Sequence, residues 1–439
     1  MTKKYLGQRL TRTEDPKLLT GQALFVDDVQ IPGMLHAAFL RSDYAHARLI
    51  SIDVSAARSR PGVVAVYTAE DMGEACQPTP PNVSPPPGLP GVTFHSRTPV
   101  PLVKDKVRQA GEALALVIAE SRYIAEDAAE DIWVEMEPLD AMVDLEHALD
   151  PDAPLVHDDL ESNLAAHLTQ QKGDYEAARQ QADVVIKRRI LIDRGAAGAM
   201  ENRGIVAHWE PRAEHLTVWD TTQAPIPIRN GLAALFGLAA PQVRVIAPFV
   251  GGGFGPKIML YYPEEVSLTW ATLQLGRPIK WIEDRQENFF ATTQERGQVH
   301  YAEIALTKEG RILGIRHDFL HDTGAYNPYG LTIPLNTQSH AMGSYDVPNY
   351  SSDLKVVFTN KTIVTPVRAK HSAPEPGGLC HFLAHEFAVQ PTGDVYPCCL
   401  PTDHWFGNLL YQDAFEIWNS PAAQRLRAAH FAGSGSLFC

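Results

Sequence analysis

The sequence predicts a mixed α/β and α+β fold in a chain of 439 residues. The composition, 45% apolar and 21% charged residues, is typical of globular proteins and excludes a wholly disordered chain. Residues 113–137 have the pattern of a strand, a helix and a second strand, which indicates a compact α+β unit. Strands and helices alternate again after residue 176, as in a mixed α/β domain. A chain of this length predicts about two to four domains.

The first predicted domain covers residues 1–145. Its β-type runs lie at 34–40, 49–54, 63–67, 113–119 and 132–137. Ser121 is placed to cap the helix between the last two runs, because its hydroxyl can accept a bond from a free N–H of the first turn. Residues 77–101 contain nine of the 33 prolines. Proline fixes φ and lacks a donor, so we expect an exposed extended loop there, with a polyproline ligand as the alternative.

The rest of the chain divides into three predicted parts. Residues 146–175 are predicted to be an acidic connector, residues 176–368 a second domain, and residues 369–439 a separate segment that holds most of the cysteines. Strands of the second domain are expected at 182–188, 205–209, 216–220, 243–248, 301–307 and 354–359. Its helices are expected at 228–236 and 263–275.

Charge and cysteine content exclude several classes of protein. A net charge of −14 without a dense basic patch disfavours nucleic-acid binding, because the chain repels phosphates. Five cysteines are too few for a disulfide-rich secreted scaffold. The longest apolar run, residues 113–119, is far shorter than the about 20 residues that a membrane span needs, and the N-terminus has no signal-peptide core. We therefore expect a cytoplasmic protein without a membrane or nucleic-acid partner.

A glycine-rich loop is a local candidate for a binding site. The run FVGGGFGPK follows a predicted strand and places Gly251, Gly252, Gly253 and Gly255 around Phe254. Glycine allows positive φ and the close approach of another body, and exposed N–H groups can bind an oxyanion. The spacing fits neither the dinucleotide fingerprint nor the P-loop. By composition alone the loop is a tight turn as readily as a ligand site.

Longer motifs around this loop resemble the molybdopterin-binding large subunit of the molybdenum hydroxylases, the family of xanthine dehydrogenase, aldehyde oxidase and aerobic carbon monoxide dehydrogenase. LLTGQALFVDDVQIPGMLHAAFLRSDYAHARL resembles the opening of the family's α/β-hammerhead domain, and VRQAGEALALVIAESRYIAEDAAEDIWVEMEPLDAMVD resembles its close. AMENRGIVAHWE, VRVIAPFVGGGFGPK, GRPIKWIEDRQENF and GAYNPYG resemble the first molybdopterin-binding domain. The resemblance covers about residues 7–368 and is closest to the carbon monoxide dehydrogenase subunits.

The resemblance implies a set of cofactor-binding residues. The loop residues 252–255 match the family loop that packs against the molybdenum centre, with Phe254 beside the metal ligands. Gln223, in TTQAP, matches a glutamine that hydrogen-bonds a molybdenum oxygen. Without the family resemblance, its position indicates only a polar residue at the end of a strand. Arg368, in TPVR, matches an arginine that opens the active-site loop. Without the family resemblance, the same residue indicates only a charged side chain at the surface.

The same resemblance implies chemistry and partners. A molybdenum–pterin cofactor transfers a water-derived oxygen to a small carbon substrate, while a hydride moves to a terminal sulfur. Electrons leave through partner subunits that carry FAD and [2Fe–2S] clusters. The family's second molybdopterin-binding domain, with the glutamate that serves as base, lies beyond the matching region, so no catalytic residue is assigned. We therefore expect this chain alone to be inactive and not to retain the cofactor.

Residues after 369 resemble a different family, the SPASM iron–sulfur domain of radical SAM peptide-maturing enzymes. Cys380, Gly393 and Cys398 have the spacing of that domain, and FGNLL and EIWNSP follow in order. TGD predicts a turn between the strands AVQP and VYPCC, a hairpin that brings Cys380 and Cys398 together. Thiolates suit the iron of a [4Fe–4S] cluster, and a four-thiolate site would need Cys399 and Cys439 as well. Buried structural cysteines are the alternative, and the radical SAM signature CxxxCxxC is absent.

Three functions stay open from the sequence. The first is a molybdenum-dependent oxidoreductase large subunit, or a fragment of one. The second is an iron–sulfur binding module of a radical SAM maturase. The third is a non-functional chimera of two gene fragments joined near residue 369, where both resemblances stop abruptly.

Overall fold

The computed structural model describes residues 11–83, 92 and 94–366, together with the backbone of three short strands between residues 388 and 408. The chain divides into two compact units. The larger unit comprises residues 24–338 and 348–370, and the smaller unit comprises residues 1–23, 339–347 and 371–439. Within the described residues, no helix is both long and apolar enough to cross a membrane.

The described helices are α1 (Asp15–Leu19), α2 (Ser55–Ser59), α3 (Ala69–Met72), α4 (Arg122–Glu130), α5 (Tyr175–Gln180), α6 (Pro225–Leu235), α7 (Pro263–Leu275), α8 (Arg285–Ala291) and α9 (Thr332–His340). The strands of the first 220 residues are β1 (Leu35–Arg41), β2 (Ala47–Asp53), β3 (Val63–Thr68), β4 (Lys106–Val107), β5 (Ala113–Ala119), β6 (Trp133–Pro138), β7 (Leu164–Lys172), β8 (Val184–Gly195), β9 (Gly204–Glu210) and β10 (His215–Asp220). The later strands are β11 (Val243–Ile246), β12 (Ile279–Ile282), β13 (Glu295–Leu306), β14 (Ile312–Gly324), β15 (Tyr350–Phe358), β16 (Ala388–Val389), β17 (Asp394–Tyr396) and β18 (Gly407–Asn408).

A seven-stranded sheet runs through both of the first two predicted domains, in the order β11-β10-β9-β12-β1-β5-β3. The two parts meet where β1 pairs in parallel with β12, with Leu35 opposite Ile279. Every residue of β5 is buried, as its unbroken apolar sequence predicts. Leu116 and Ile118 pack into the core shared with α6 and α7, while Ala115 and Val117 face the helix α4. The predicted boundary between the two domains is therefore bridged by backbone hydrogen bonds.

A second sheet of five strands has the order β7-β15-β14-β13-β8. Its strands are antiparallel except β14 and β15, which run parallel. Here the structure differs from the predicted connector at 146–175, because β7 lies inside that range and pairs with β15 along its length. The sequence pattern did not predict this strand because its second half, Thr169–Lys172, is polar. A smaller sheet, β4-β2-β6, completes the first region.

The two described flanks of the proline-rich stretch differ. Pro78, Pro80 and Pro81 on the first flank are exposed, as predicted, whereas the second flank, residues 94–101, is largely packed, which corrects the prediction there. Phe94 forms a bridge with Ala166, and His95 donates from its backbone N to Ala165 O over 2.9 Å. Pro99 and Pro101 are buried. Residues 84–91 and 93 lie outside the described residues.

The predicted cysteine-segment hairpin is confirmed at the level of the backbone. β16 pairs antiparallel with β17, with Ala388 opposite Tyr396 and Val389 opposite Val395. β18 adds a third strand on the other side of β17.

The cap of α4 supplies a first test of the structure. Ser121 accepts a hydrogen bond from Ile124 N over 3.3 Å, as the sequence predicts. The substitution Ser121→Ala should lower the free energy of unfolding by about 1 kcal/mol, because a helix N–H loses its partner. Urea denaturation measures the change. Ser96→Ala, at an exposed serine outside any helix, is the control, and equal stability of the two variants would contradict the capping role.

Candidate functional site

The glycine loop follows β11 and has an unusual backbone. Gly252 and Gly255 adopt φ of 106° and 110°, a region that residues with a Cβ rarely enter. Phe254 lies between them with φ of 54° and is 43% exposed. A Cβ added to Gly252 would lie 2.6 Å from the Phe254 ring, so only glycine fits beneath that ring. The loop is thus a compact, partly exposed turn that presents an aromatic side chain.

Gln223 lies directly against this loop, although the two are separated by about 30 residues of sequence. Its Oε1 accepts a hydrogen bond from Gly255 N over 2.9 Å. A Cβ added to Gly253 would lie 2.5 Å from the Gln223 carboxamide carbon, which shows how closely the side chain crosses the glycine. Gln223 itself is exposed. Within the described residues, its Nε2 and the backbone N–H groups of Gly252 and Gly253 have no hydrogen-bond partner.

A glutamate and a lysine fix the two ends of the loop. Glu201 accepts a 2.6 Å bond from Gly251 N through its carboxylate, and its own backbone N donates to Gly251 O. Lys257 is buried and donates from Nζ to Glu201 O over 2.8 Å. Burial lowers the pKa of Lys257, although Glu201 favours the charged form. The loop is therefore held at both ends by the AMENRG segment.

Arg203, two residues after Glu201, is buried among carboxylates and rings. Its guanidinium donates to Glu283 Oε1 over 2.5 Å and to Glu264 Oε2 over 2.9 Å. It also lies 4.0 Å from the centre of the Tyr262 ring, a cation–π contact. Such a desolvated cation is stable only because two carboxylates and a ring face surround it.

Arg41 extends this ion cluster from β1 into the second region. Its guanidinium lies 2.8 Å from Glu264 and 2.9 Å from Glu287. Burial alone would raise the pKa of Glu264, but Arg203 and Arg41 hold it down to about 2. The strand β1, helix α7 and helix α8 are thereby joined through charged groups that are largely buried.

A small buried cavity lies behind the loop and is lined by Arg203, Asp220, Lys257, Tyr262 and Glu265. Asp220 is 3% exposed, and its Oδ2 has no hydrogen-bond partner among the described residues. Burial raises the pKa of Asp220 to about 7, and the nearby Glu201 adds to that rise. Burial, together with the nearby Asp220, raises the pKa of Glu265 well above its usual value. Asp220 lies three residues before Gln223 in the sequence, whereas Glu265 lies on α7. Both acids are on the interior side of the loop.

The structure brings together Gln223 and the loop residues 252–255, two groups that the sequence places far apart. Arg368, Cys380, Cys398, Cys399 and Cys439 lie outside the described residues. In the part of the chain that the structure describes, no group of three or more His, Cys, Asp or Glu side chains is arranged to hold a metal ion.

Sequence reasoning missed Glu201, Arg203, Asp220 and Lys257 as residues that build the site. The available signal was the cluster of opposite charges, ENR, directly before the strand β9, whose first residues are apolar. Charges at the start of a buried strand are costly unless they are paired.

The raised pKa of Asp220 predicts a specific dependence of stability on pH. The folded chain binds a proton at Asp220 that the unfolded chain has released, so between about pH 4 and pH 7 stability falls by up to about 1.4 kcal/mol per pH unit from this group. Asp220→Asn should remove that part of the decline. Urea denaturation at pH 5 and pH 8 measures it, with Asp152→Asn at an exposed aspartate as the control. The same decline in Asp220→Asn as in the wild type would contradict the assignment.

Three family models match the chain. The model of the aldehyde oxidase and xanthine dehydrogenase a/b hammerhead domain matches residues 20–140. The molybdopterin cofactor-binding domain model matches residues 156–375. The iron–sulfur cluster-binding domain model, SPASM, matches residues 380–436.

Individual proteins support the first two matches. The chain is 37% identical over 379 residues to the 6-hydroxypseudooxynicotine dehydrogenase complex subunit gamma of Paenarthrobacter nicotinovorans, covering 83% of this chain and 45% of that subunit. It is 30% identical to the nicotinate dehydrogenase large molybdopterin subunit of Eubacterium barkeri, covering 86% of this chain and 84% of that subunit. The crystal structure of quinoline 2-oxidoreductase from Pseudomonas putida 86 aligns with a TM-score of 0.79 at 36% identity, covering 83% of this chain and 46% of that one.

The chain thus spans less than half of the first of these relatives, and its matched part contains the hammerhead fold followed by the molybdopterin-binding fold. Both the glycine loop and Gln223 lie inside the matched region. The chain belongs to the molybdenum hydroxylase large-subunit family, the group that includes xanthine dehydrogenase and carbon monoxide dehydrogenase.

Proposed function

We propose that this chain contributes one side of a molybdenum–pterin site in a multisubunit hydroxylase that acts on a small carbon substrate. The observation that carries the proposal is a set of donors on one partly exposed rim that have no partner in the described part of the chain: the Gln223 Nε2 and the N–H groups of Gly252 and Gly253. Successive N–H groups in a glycine loop form a concave site for oxyanions. These donors suit the oxygen-rich edge of a molybdenum centre or the pterin.

The residues present fit such a group sterically as well. A Cβ at Gly252 or Gly253 would occupy space now filled by Phe254 or by Gln223, so the glycines let the backbone lie close behind both side chains. When bound, the cofactor supplies oxygen transfer to carbon and accepts two electrons. Gln223 orients an oxygen by donation from Nε2, since its Oε1 is already fixed by Gly255. Phe254 covers one side of the rim and excludes water there.

The proposed site is one-sided in this chain. Gln223 and Phe254 are exposed, and on its interior side the loop is bonded to Glu201, to which Lys257 also donates. We infer that a second half of the site, from the portion of the family's large subunit outside the matched region, closes over this rim. FAD-binding and [2Fe–2S] subunits complete the proposed complex, and Arg368 is proposed to open the active-site loop.

Binding of the cofactor tests the proposal directly. The purified chain should carry well below one molybdenum per chain, because a one-sided site releases the cofactor during purification. Added molybdenum–pterin cofactor, measured anaerobically by equilibrium dialysis and metal analysis, should bind weakly but saturably. Gln223→Leu and Gly253→Ala should each weaken binding by about tenfold, since one removes the donor and the other displaces it.

Gln181→Leu, at an exposed glutamine on a different element, is the matched control and should bind like the wild type. Equal binding by Gln223→Leu and the control would contradict the role of Gln223. About one firmly held molybdenum per chain would contradict the one-sided site.

An iron–sulfur cluster is a second proposed function, for the segment that matches the SPASM model at residues 380–436. The β16–β17 hairpin ends two residues before Cys398, which is consistent with a cysteine ligand at the end of that hairpin. Cys380, Cys398, Cys399 and Cys439 are the proposed ligands.

Anaerobic reconstitution with iron and sulfide should give cluster absorbance in the visible region, and Cys380→Ala should reduce it. Cys76→Ala is the control, because Cys76 is buried in the first region and donates to Leu102 O. Identical spectra from both variants would remove this function.

A further inference from the structure

Lys257 links the glycine loop to the buried cavity behind it. Its Nζ donates to Glu201 O over 2.8 Å and lies 3.4 Å from Glu201 Oε2, the oxygen that also accepts from Gly251 N. The same lysine lines the cavity together with Asp220. An ammonium group has a further N–H donor besides these contacts, so a donor is available to a group on the cavity side.

Asp220 supplies an acceptor on the cavity side. It is 3% exposed, and its Oδ2 accepts no hydrogen bond from any residue that the structure describes. A buried oxygen without a donor is unfavourable, and an ionised one is far more so. A protonated Asp220 exerts little attraction on Lys257, whereas an ionised Asp220 attracts the ammonium strongly across a cavity of low dielectric constant. The charge of Asp220 therefore decides whether Glu201 has a competitor for Lys257.

The other charged or titratable groups around Asp220 are Glu201 and Lys257 beside the loop, Arg203 before β9, Tyr262 before α7 and Glu265 within α7. Arg203 is already compensated by Glu264 and Glu283, at 2.9 Å and 2.5 Å. Tyr262 donates its hydroxyl proton to Pro256 O, and burial raises its pKa, so it is neutral. Lys257 is therefore the cation of this group whose partner is able to change.

Asp220, rather than Glu265, is the acid of this cavity that ionises first. Burial raises the pKa of Asp220 to about 7, although Arg203 and Lys257 favour its ionised form. Burial also raises the pKa of Glu265 well above its usual value, and there the nearby Asp220 and Glu264 add to the rise. Lys257 thus favours an anion at Asp220, whereas two neighbouring carboxylates oppose one at Glu265. Near neutral pH, the charge of the cavity changes at Asp220.

We propose that Asp220 is a positioning residue for the glycine loop and acts on it through Lys257. When Asp220 is neutral, Lys257 stays with Glu201, and Glu201 holds the Gly251 end of the loop. When Asp220 is ionised, it competes for the ammonium, so Glu201 loses its cation and the hydrogen bond from Gly251 N weakens.

The two ends of the loop respond differently to this change. Gly255 N donates to Gln223 Oε1 over 2.9 Å, a bond that does not involve the Lys257 side chain. The N–H groups of Gly252 and Gly253 lie between the two ends, so they are held more firmly below neutral pH than above it. For cofactor affinity this consequence rests on the proposed function, whereas the response of the loop itself does not.

Hydrogen exchange of the full chain without cofactor tests the inference at pH 6 and pH 8, with rates corrected for the intrinsic pH dependence of exchange. In the wild type, the protection of the Gly251 amide should fall about tenfold between the two pH values, the effect of weakening one hydrogen bond. The protection of the Gly255 amide should change little. Asp220→Asn is neutral at both pH values, so its Gly251 amide should keep at pH 8 the protection that it has at pH 6.

Glu265→Gln is the matched control, because it makes the same kind of change at the other acid of the cavity. It should show the wild-type fall in protection at Gly251. The inference is overturned if the Gly251 amide of the wild type is equally protected at both pH values, if Gly251 and Gly255 lose protection equally, or if Asp220→Asn shows the wild-type fall. The first two outcomes need no variant, so the test holds even where Asp220→Asn does not fold. Cofactor binding tests the proposed function separately, and its failure leaves these exchange results unaffected.

Discussion

The buried guanidinium of Arg203 is the interaction on which the larger unit depends most. It joins the start of β9 to α7 through Glu264 and to the end of β12 through Glu283. Arg41 extends the same cluster to β1 and α8. Breaking one partner of a buried pair leaves a charge without compensation and typically costs about 3–5 kcal/mol. The cluster therefore fixes the relative positions of strands from both sequence regions.

This constraint also sets the position of the glycine loop. Glu201, two residues before Arg203, accepts from Gly251 N, and Lys257 donates back to Glu201 O. Gln223, which follows β10, accepts a hydrogen bond from Gly255 N and so fixes the other end of the loop. A loop with two positive-φ glycines would cost conformational entropy to order on binding. Here the protein has already ordered it through interior contacts, and among the described residues the N–H groups of Gly252 and Gly253 on the outer rim have no partner.

Several elements could be predicted from the sequence, and the reasons others could not are physical. The helix at 263–275 was predicted with its observed bounds, and the buried strand at 113–119 likewise, because each has a clear apolar pattern. The strand β14 was missed because its alternation is masked by Arg316, His317 and His321. Burial lowers the pKa of His321 to about 3, so it is neutral in the sheet, which the sequence alone does not reveal.

The site was predictable only in part. The loop and Gln223 were identified through resemblance to a family, whereas the ion pairs that hold them join residues about 60 to 80 positions apart, such as Arg203 with Glu264 and with Glu283. Periodicity reports burial along one element and carries no information about such pairings.

The two family models on the C-terminal side lie close together in the sequence. One ends at residue 375 and the next begins at residue 380, near the change in composition at residue 369.

The interior of this chain orders the glycine loop before any cofactor or partner binds. Amide hydrogen exchange of the isolated chain, resolved at single residues, measures this most directly. Slow exchange is expected at Gly251 and Gly255, whose N–H groups are bonded to Glu201 and Gln223, and fast exchange at Gly252 and Gly253. If all four amides exchange at the rate of an unstructured peptide, the loop is not ordered in the isolated chain.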